Sequence, residues 1–137
     1  MNKEKLKEKY IKYELSKDDV FKHQGGHYII ITRSGIEKIQ AIENIQIYYE
    51  VVTCQKDFAG VKAIATKDQN TIETFGSALK GDFKNGNTMS WYVLEMAEKR
   101  AMSRAVLKLT GFYELGVFGE DESEDFKKNK FTNYTKE

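Results

Sequence analysis

The sequence is poor in the residues that most directly announce a chemistry. It holds one cysteine and two histidines in 137 residues. Cys54 cannot close an internal disulfide, and the opening MNKEKLKEKY lacks the apolar core of an export signal, so a reducing, cytoplasmic setting is expected. No uninterrupted apolar run approaches the roughly 18–20 residues of a bilayer-spanning helix, which excludes a membrane partner. His23 and His27 are spaced like helical metal ligands, but Gly25-Gly26 lies between them and Cys54 is far along the chain, so no metal site is expected. Cys54 has no neighbouring histidine and reads as a buried, small apolar side chain rather than a nucleophile. P-loop, dinucleotide fingerprint and catalytic carboxylate set are all missing. We therefore expect a binding protein without catalytic residues or cofactor, not an enzyme.

Net charge is +1, which argues against a uniformly basic coat, but the charges are unevenly placed. From Lys80 to Thr110 there are six Lys or Arg residues against three acids, whereas Glu120 to Asp125 holds five acids and no base. Hydrophobic residues make up 40% of the chain, enough for one domain that buries about two thirds of its unfolded surface. They concentrate in the middle. The expected division is an amphipathic N-terminal helix in 1–22 that can make an oligomer contact, a folded core in 23–118, and a charged tail in 119–137 without regular structure.

Leu6, Tyr10 and Tyr13 recur at helical spacing within Lys3 to Leu15. His27 to Thr32, β-branched and aromatic, reads as a strand after the turn signal Gln24-Gly25-Gly26. Ser34 is placed to cap a helix whose Ile36, Ile39 and Ile42 share one face. Gln46 to Gln55, Val61 to Thr66 and Thr71 to Leu79 read as three strands of an antiparallel meander, the last two joined by Lys67-Asp68-Gln69-Asn70. A polar loop from Lys80 to Asn87 leads to a long helix, capped by Asn87 or Thr88 and ended at Gly111. The class expected is α+β, an antiparallel sheet of three to four strands (a β-β-β-α core) backed by a long C-terminal helix.

Projected at 100° per residue, that helix gathers Leu94, Ala97, Ala101, Ala105 and Leu109 on one face, with Trp91 and Met102 at its edge. The alanines allow close approach to the strands. Arg100, Arg104 and Lys108 form a cationic ridge beside the stripe, able to reach phosphates at the sheet edge, with Lys80 and Lys84 extending the track. The bland reading is a solvated helix face, helped by the Glu95–Lys99 pair.

The run Glu95-Met96-Ala97-Glu98-Lys99-Arg100-Ala101-Met102-Ser103-Arg104-Ala105-Val106-Leu107-Lys108-Leu109-Thr110-Gly111-Phe112 resembles the A-x-x-R-A-x-x-R-A-x-x-x-L-x-G signature of phage and mobile-element annealing proteins of the Erf and Sak kind. Tyr28 to Ile45, with Thr32-Arg33-Ser34-Gly35, resembles the segment before their three strands. The resemblance covers roughly Tyr28 to Phe118. It implies an oligomer that holds single-stranded DNA by its backbone without ATP, leaving bases free to pair, in recombination or replication, and in the host cytoplasm if the chain is phage-encoded. Arg100 and Arg104, and with them Lys99 and Lys108, match the basic positions of that helix.

Base stacking would complete such a site. Alternation puts one of Tyr48 and Tyr49 outward, and that residue with loop Phe83 forms the preferred pair. The acidic run Glu120, Asp121, Glu122, Glu124, Asp125, ending in Phe126, resembles the tip with which bacterial single-strand-binding proteins recruit partners, or it competes with DNA for the basic ridge. Two alternatives share the element order: a double-stranded RNA-binding module, and an interaction or inhibitor protein with no nucleic-acid ligand.

Overall fold

The computed structural model describes residues 3–22, 28–82 and 84–122. Among them no helix is long and apolar enough to cross a membrane. His23 and His27 lie outside the described residues, and Cys54, expected to be buried, is exposed.

The meander forms where the alternation is cleanest. β3 (Gln46–Cys54), β4 (Phe58–Lys67) and β5 (Asn70–Leu79) pair antiparallel in the order β3-β4-β5. Asp68, with φ of 56°, turns the chain between the paired Lys67 and Asn70. Ala59, Val61, Ala63 and Ala65 of β4, with Thr74, Gly76 and Ala78 of β5, point to one buried face. Small side chains dominate it, and α3 (Val93–Leu109) settles there through the fully buried Ala97, Ala101 and Ala105.

The approach is close enough for backbone to meet backbone. A Cβ on Gly76 would lie 2.3 Å from the Ala97 carbonyl oxygen and 2.5 Å from the Ala101 nitrogen. Only a glycine fits. Beside it, Thr74 Oγ1 donates to the Ala101 carbonyl at 2.7 Å, which satisfies a buried hydroxyl in the contact.

A second, smaller sheet runs β1-β2-β6 through β1 (Val20–Lys22), β2 (Ile29–Ile31) and β6 (Val117–Gly119). β1 is antiparallel to β2 and β6 parallel to it. Neither β1 nor β6 is expected from the sequence, since three residues show no period. They form because Ile29, Ile30 and Ile31 are all buried and need covering on both faces. A Cβ on Gly119 would meet Ser103 Cβ at 2.7 Å, so β6 packs on α3 opposite the meander. α3 is thus buried almost all round, which accounts for its weak amphipathic pattern.

α2 (Arg33–Glu43) buries Ile36 and Ile39 but leaves Ile42 exposed. Its N-cap is Thr32, whose Oγ1 accepts from Gly35 N at 3.2 Å. Ser34, expected to cap, instead donates to Asp19 Oδ1 at 3.0 Å. α1 (Lys3–Lys12) buries Leu6, and Tyr13 just beyond it stacks at a tilt on Phe112 and hydrogen-bonds to Glu43. From α1, Lys9 Nζ donates to the Thr110 carbonyl at 2.6 Å, a cation at the C-terminus of α3 where the helix dipole favours one. Gly111, at φ of 80°, ends that helix as expected.

The α+β class holds, with the long helix on an antiparallel sheet. The start of the helix differs from expectation. Thr88 Oγ1 accepts from Ser90 N at 3.1 Å and Ser90 Oγ from Tyr92 N at 3.0 Å. These local hydroxyl turns compete with helix formation and delay α3 to Val93. Trp91 therefore stands outside the helix whose edge it was expected to occupy.

Candidate functional site

Displacement of Trp91 from the helix creates the most distinctive surface of the molecule. Trp91 is 58% exposed. Lys80 Nζ lies 4.5 Å from its centroid and Lys56 Nζ 5.7 Å, both within cation–π range. Lys56 sits in the β3–β4 turn and Lys80 just past β5. The meander brings them together, because Lys80 N donates to the Asp57 carbonyl at 2.7 Å. Met89 and Tyr92 beside Trp91 are also exposed.

The loop carrying this platform is tightly tied. Asp82 Oδ1 accepts from Lys84 N and Asn85 N at 2.9 and 3.1 Å, an Asx turn that leaves Lys84 exposed. Gly81 N donates to the Thr88 carbonyl at 2.9 Å, and Asn87 N to the Leu79 carbonyl at 2.8 Å. Asn87, expected as a helix cap, uses Oδ1 to accept from Leu79 N at 2.7 Å and from Arg100 Nη1 at 3.1 Å.

Arg100 is 3% exposed, so it belongs to neither a solvated face nor an open ridge. Its guanidinium donates to the carbonyls of Ser77 (2.8 Å), Asn87 (2.9 Å) and Asp121 (3.1 Å). One helical turn on, Arg104 Nη1 donates to the Phe75 carbonyl at 3.0 Å and Nη2 to Glu122 Oε2 at 2.9 Å. Phe75 and Ser77 lie on β5, an edge strand of the meander, so arginines four apart on α3 cap carbonyls two apart on the strand. Such capping blocks a further strand from pairing there. Phe75, Gly76, Ser77, Asn87, Arg100, Arg104 and Glu122 line a cleft of about 180 Å³ along this edge. Burial pushes the carboxyl of Asp121, beside it, above its ordinary value, partly opposed by Arg33 and Lys99.

The remaining expected site residues scatter. Lys99 lies near Asp121 and is half-exposed. Lys108, in the last turn of α3, places Nζ 5.4 Å from the Tyr113 centroid, at the opposite end of the helix from Trp91. Tyr48, 71% exposed, pairs with Ile64 on the face of the sheet away from α3. On that face Lys62 bridges Glu50 at 3.1 Å and Glu73 at 3.7 Å, leaving one net negative charge in the trio, a poor neighbourhood for a phosphate chain. Tyr49 faces the helix side, where burial, and then Glu98, push its hydroxyl up. Phe83, Glu124, Asp125 and Phe126 lie outside the described residues. Sequence reasoning misses Lys56 and places Trp91 at the edge of the helix stripe rather than among the preferred stacking residues. The signal available for Trp91 was the pair of hydroxyl residues, Thr88 and Ser90, just before it.

Compared with protein-family models, with curated proteins and with solved structures, the chain matches none.

Proposed function

We propose that the protein binds single-stranded DNA and promotes annealing of complementary strands without ATP, as a cytoplasmic oligomer serving recombination or replication. The observation that carries the reading is Trp91, exposed and flanked by Lys56 and Lys80. Single-strand sites combine an aromatic on which a base stacks, worth about 1–3 kcal/mol per base, with cations that follow the phosphates. Lys84 on the same loop adds a cation. One stacked base per chain and otherwise backbone contacts leave the pairing edges of the strand open, which annealing requires. Duplex RNA, recognised by groove shape and 2′-hydroxyls, has no use for an exposed tryptophan between lysines.

The experiment is direct because Trp91 is the only tryptophan. Titration with an oligo-dT of about 20 nucleotides is expected to quench its fluorescence saturably, with affinity falling as salt rises. Excess duplex RNA is expected not to reverse the quench. Gel filtration with and without poly-dT reads the oligomer. No quench and no mobility shift of any oligonucleotide at low salt overturns the proposal and favours a protein-interaction role.

A further inference from the structure

The arginine cleft along β5 already contains an anion supplied by the chain itself. Glu120–Glu122 form a single 3₁₀ turn directly after β6, and Glu122 swings into the cleft with its side chain 8% exposed. Among the described residues Arg104 meets it, through Oε2 at 2.9 Å. Glu122 Oε1 is buried with no hydrogen-bond partner among the described residues. A carboxylate held away from water with half its acceptor capacity unused carries a desolvation cost. That is the behaviour of a stand-in rather than of an optimised structural ion pair.

One loop links the cleft to the tryptophan platform. Asn87 lines it and lies four residues before Trp91, at most about 14 Å along an extended chain. A strand stacked on Trp91 would bring its next phosphates to the β5 edge, where Arg104 points. A phosphodiester offers two non-bridging oxygens, and Arg104 binds such a group as it now binds the carboxylate. Arg100, fully engaged with three backbone carbonyls, shapes the cleft without needing to move.

We propose that the Glu120–Glu122 turn is a built-in competitor, with Glu122 occupying the phosphate position at Arg104 and giving it up when single-stranded DNA binds. This rests on the function proposed above and adds to it a threshold. Ligands that only touch the cleft through charge do not displace the Glu122 side chain, whereas a strand also stacked on Trp91 does. Weak polyanions are thereby rejected.

The test measures oligo-dT affinity at low salt for the wild type, Glu122→Gln and Glu114→Gln, the last removing the same charge from an exposed position away from the cleft. Glu122→Gln is expected to bind about fivefold tighter, the equilibrium equivalent of one partly exposed ion pair, with Glu114→Gln changing less than twofold. In an Arg104→Gln background the gain from Glu122→Gln should disappear. Should Glu122→Gln fail to fold, Glu122→Asp, which keeps the charge but withdraws it by one methylene, is expected to tighten binding in the same direction. Equal affinity of wild type and a folded Glu122 variant overturns the competitor while leaving DNA binding in place. A gain that persists without Arg104 overturns it too, as general charge relief. Absence of oligo-dT binding by every variant removes both proposals together.

Discussion

Arg100 and Asn87 hold each other through two contacts, Nη2 to the Asn87 carbonyl at 2.9 Å and Nη1 to its Oδ1 at 3.1 Å. A buried helix residue thereby fixes the loop that carries Lys84 and Trp91. Lysine cannot reproduce the fork, having a single point charge on a flexible stem. Arg100→Lys would leave some of the carbonyls of Ser77, Asn87 and Asp121 unsatisfied, at an expected cost of about 2–4 kcal/mol. Urea unfolding reads this directly. Unchanged stability would show that the guanidinium is dispensable to the fold.

Two glycines separate packing from backbone strain. At Gly76 a methyl group collides with the backbone of α3 at Ala97 and Ala101. Gly76→Ala is therefore expected to cost about 3 kcal/mol or more, the upper end for overpacking where no side chain can yield. At Gly116 nothing lies within 4 Å of the added carbon, but φ is 80°. Gly116→Ala is expected to cost about 1–2 kcal/mol through the left-handed conformation alone. Ala101→Leu should resemble Gly76→Ala, since it presses on the same contact. Similar midpoints for both glycine variants in thermal unfolding would contradict the close approach of α3 to β5.

The acid limb of stability is expected to depend on Asp19. Its buried carboxylate accepts from Lys38 Nζ at 2.7 Å, Ser16 N at 2.9 Å, Ser34 Oγ at 3.0 Å and Ser16 Oγ at 3.1 Å. The Lys38 contact first, and then the Ser16 backbone donor, hold its carboxyl well below the ordinary value of 3.8. A folded-state pKa below the unfolded one contributes stability that is complete above the unfolded value and is lost as pH falls toward the folded one. Wild type should therefore hold its Asp19-dependent stability at neutral pH and lose it progressively below about pH 4. Asp19→Asn should be less stable at pH 7, with the gap narrowing as the buffer is taken below that point. A gap that stays constant from pH 7 to about 3 would sink this assignment.

The meander and its helix were legible because their patterns are long. Val61, Ala63 and Ala65 alternate with Lys62 and Ile64, and Ala97, Ala101 and Ala105 repeat at one turn, so each element announces the face it buries. β1 and β6 were not, because a three-residue strand is specified by the isoleucines it must cover, which is a tertiary demand. Phe58 to Gly60 extend β4 beyond the expected strand for a related reason: their small and aromatic residues carry no period of their own and follow the register of β5. The site divides the same way. Lys80 and Lys84 could be read from a polar loop, whereas the pairing of Lys56 with Trp91 exists only once β3, β4 and β5 are in register. Arg100 was readable as a cation on α3 but not as a buried one, since its partners are main-chain carbonyls, to which composition is blind.

Stacking and charge at the Trp91 platform should come apart in a salt titration. Lys56→Ala and Lys80→Ala each withdraw one cation from the ring. If each meets a phosphate, the dependence of log affinity on log salt should flatten by about 0.7 per lost contact, the figure for single strands. Trp91→Ala removes a stacking surface and no charge, so it should lower affinity by about 1–3 kcal/mol at every salt concentration with the slope preserved. Trp91→Phe, a smaller but still aromatic face, should recover part of that loss. Lys108→Ala, at the far end of α3 against Tyr113, should leave both slope and intercept as they are. Anisotropy of a labelled oligo-dT reads all five proteins in one format, including those without tryptophan. A flattened slope in Lys108→Ala, with none in Lys56→Ala or Lys80→Ala, would move the phosphate track away from the platform and onto the C-terminal end of the helix.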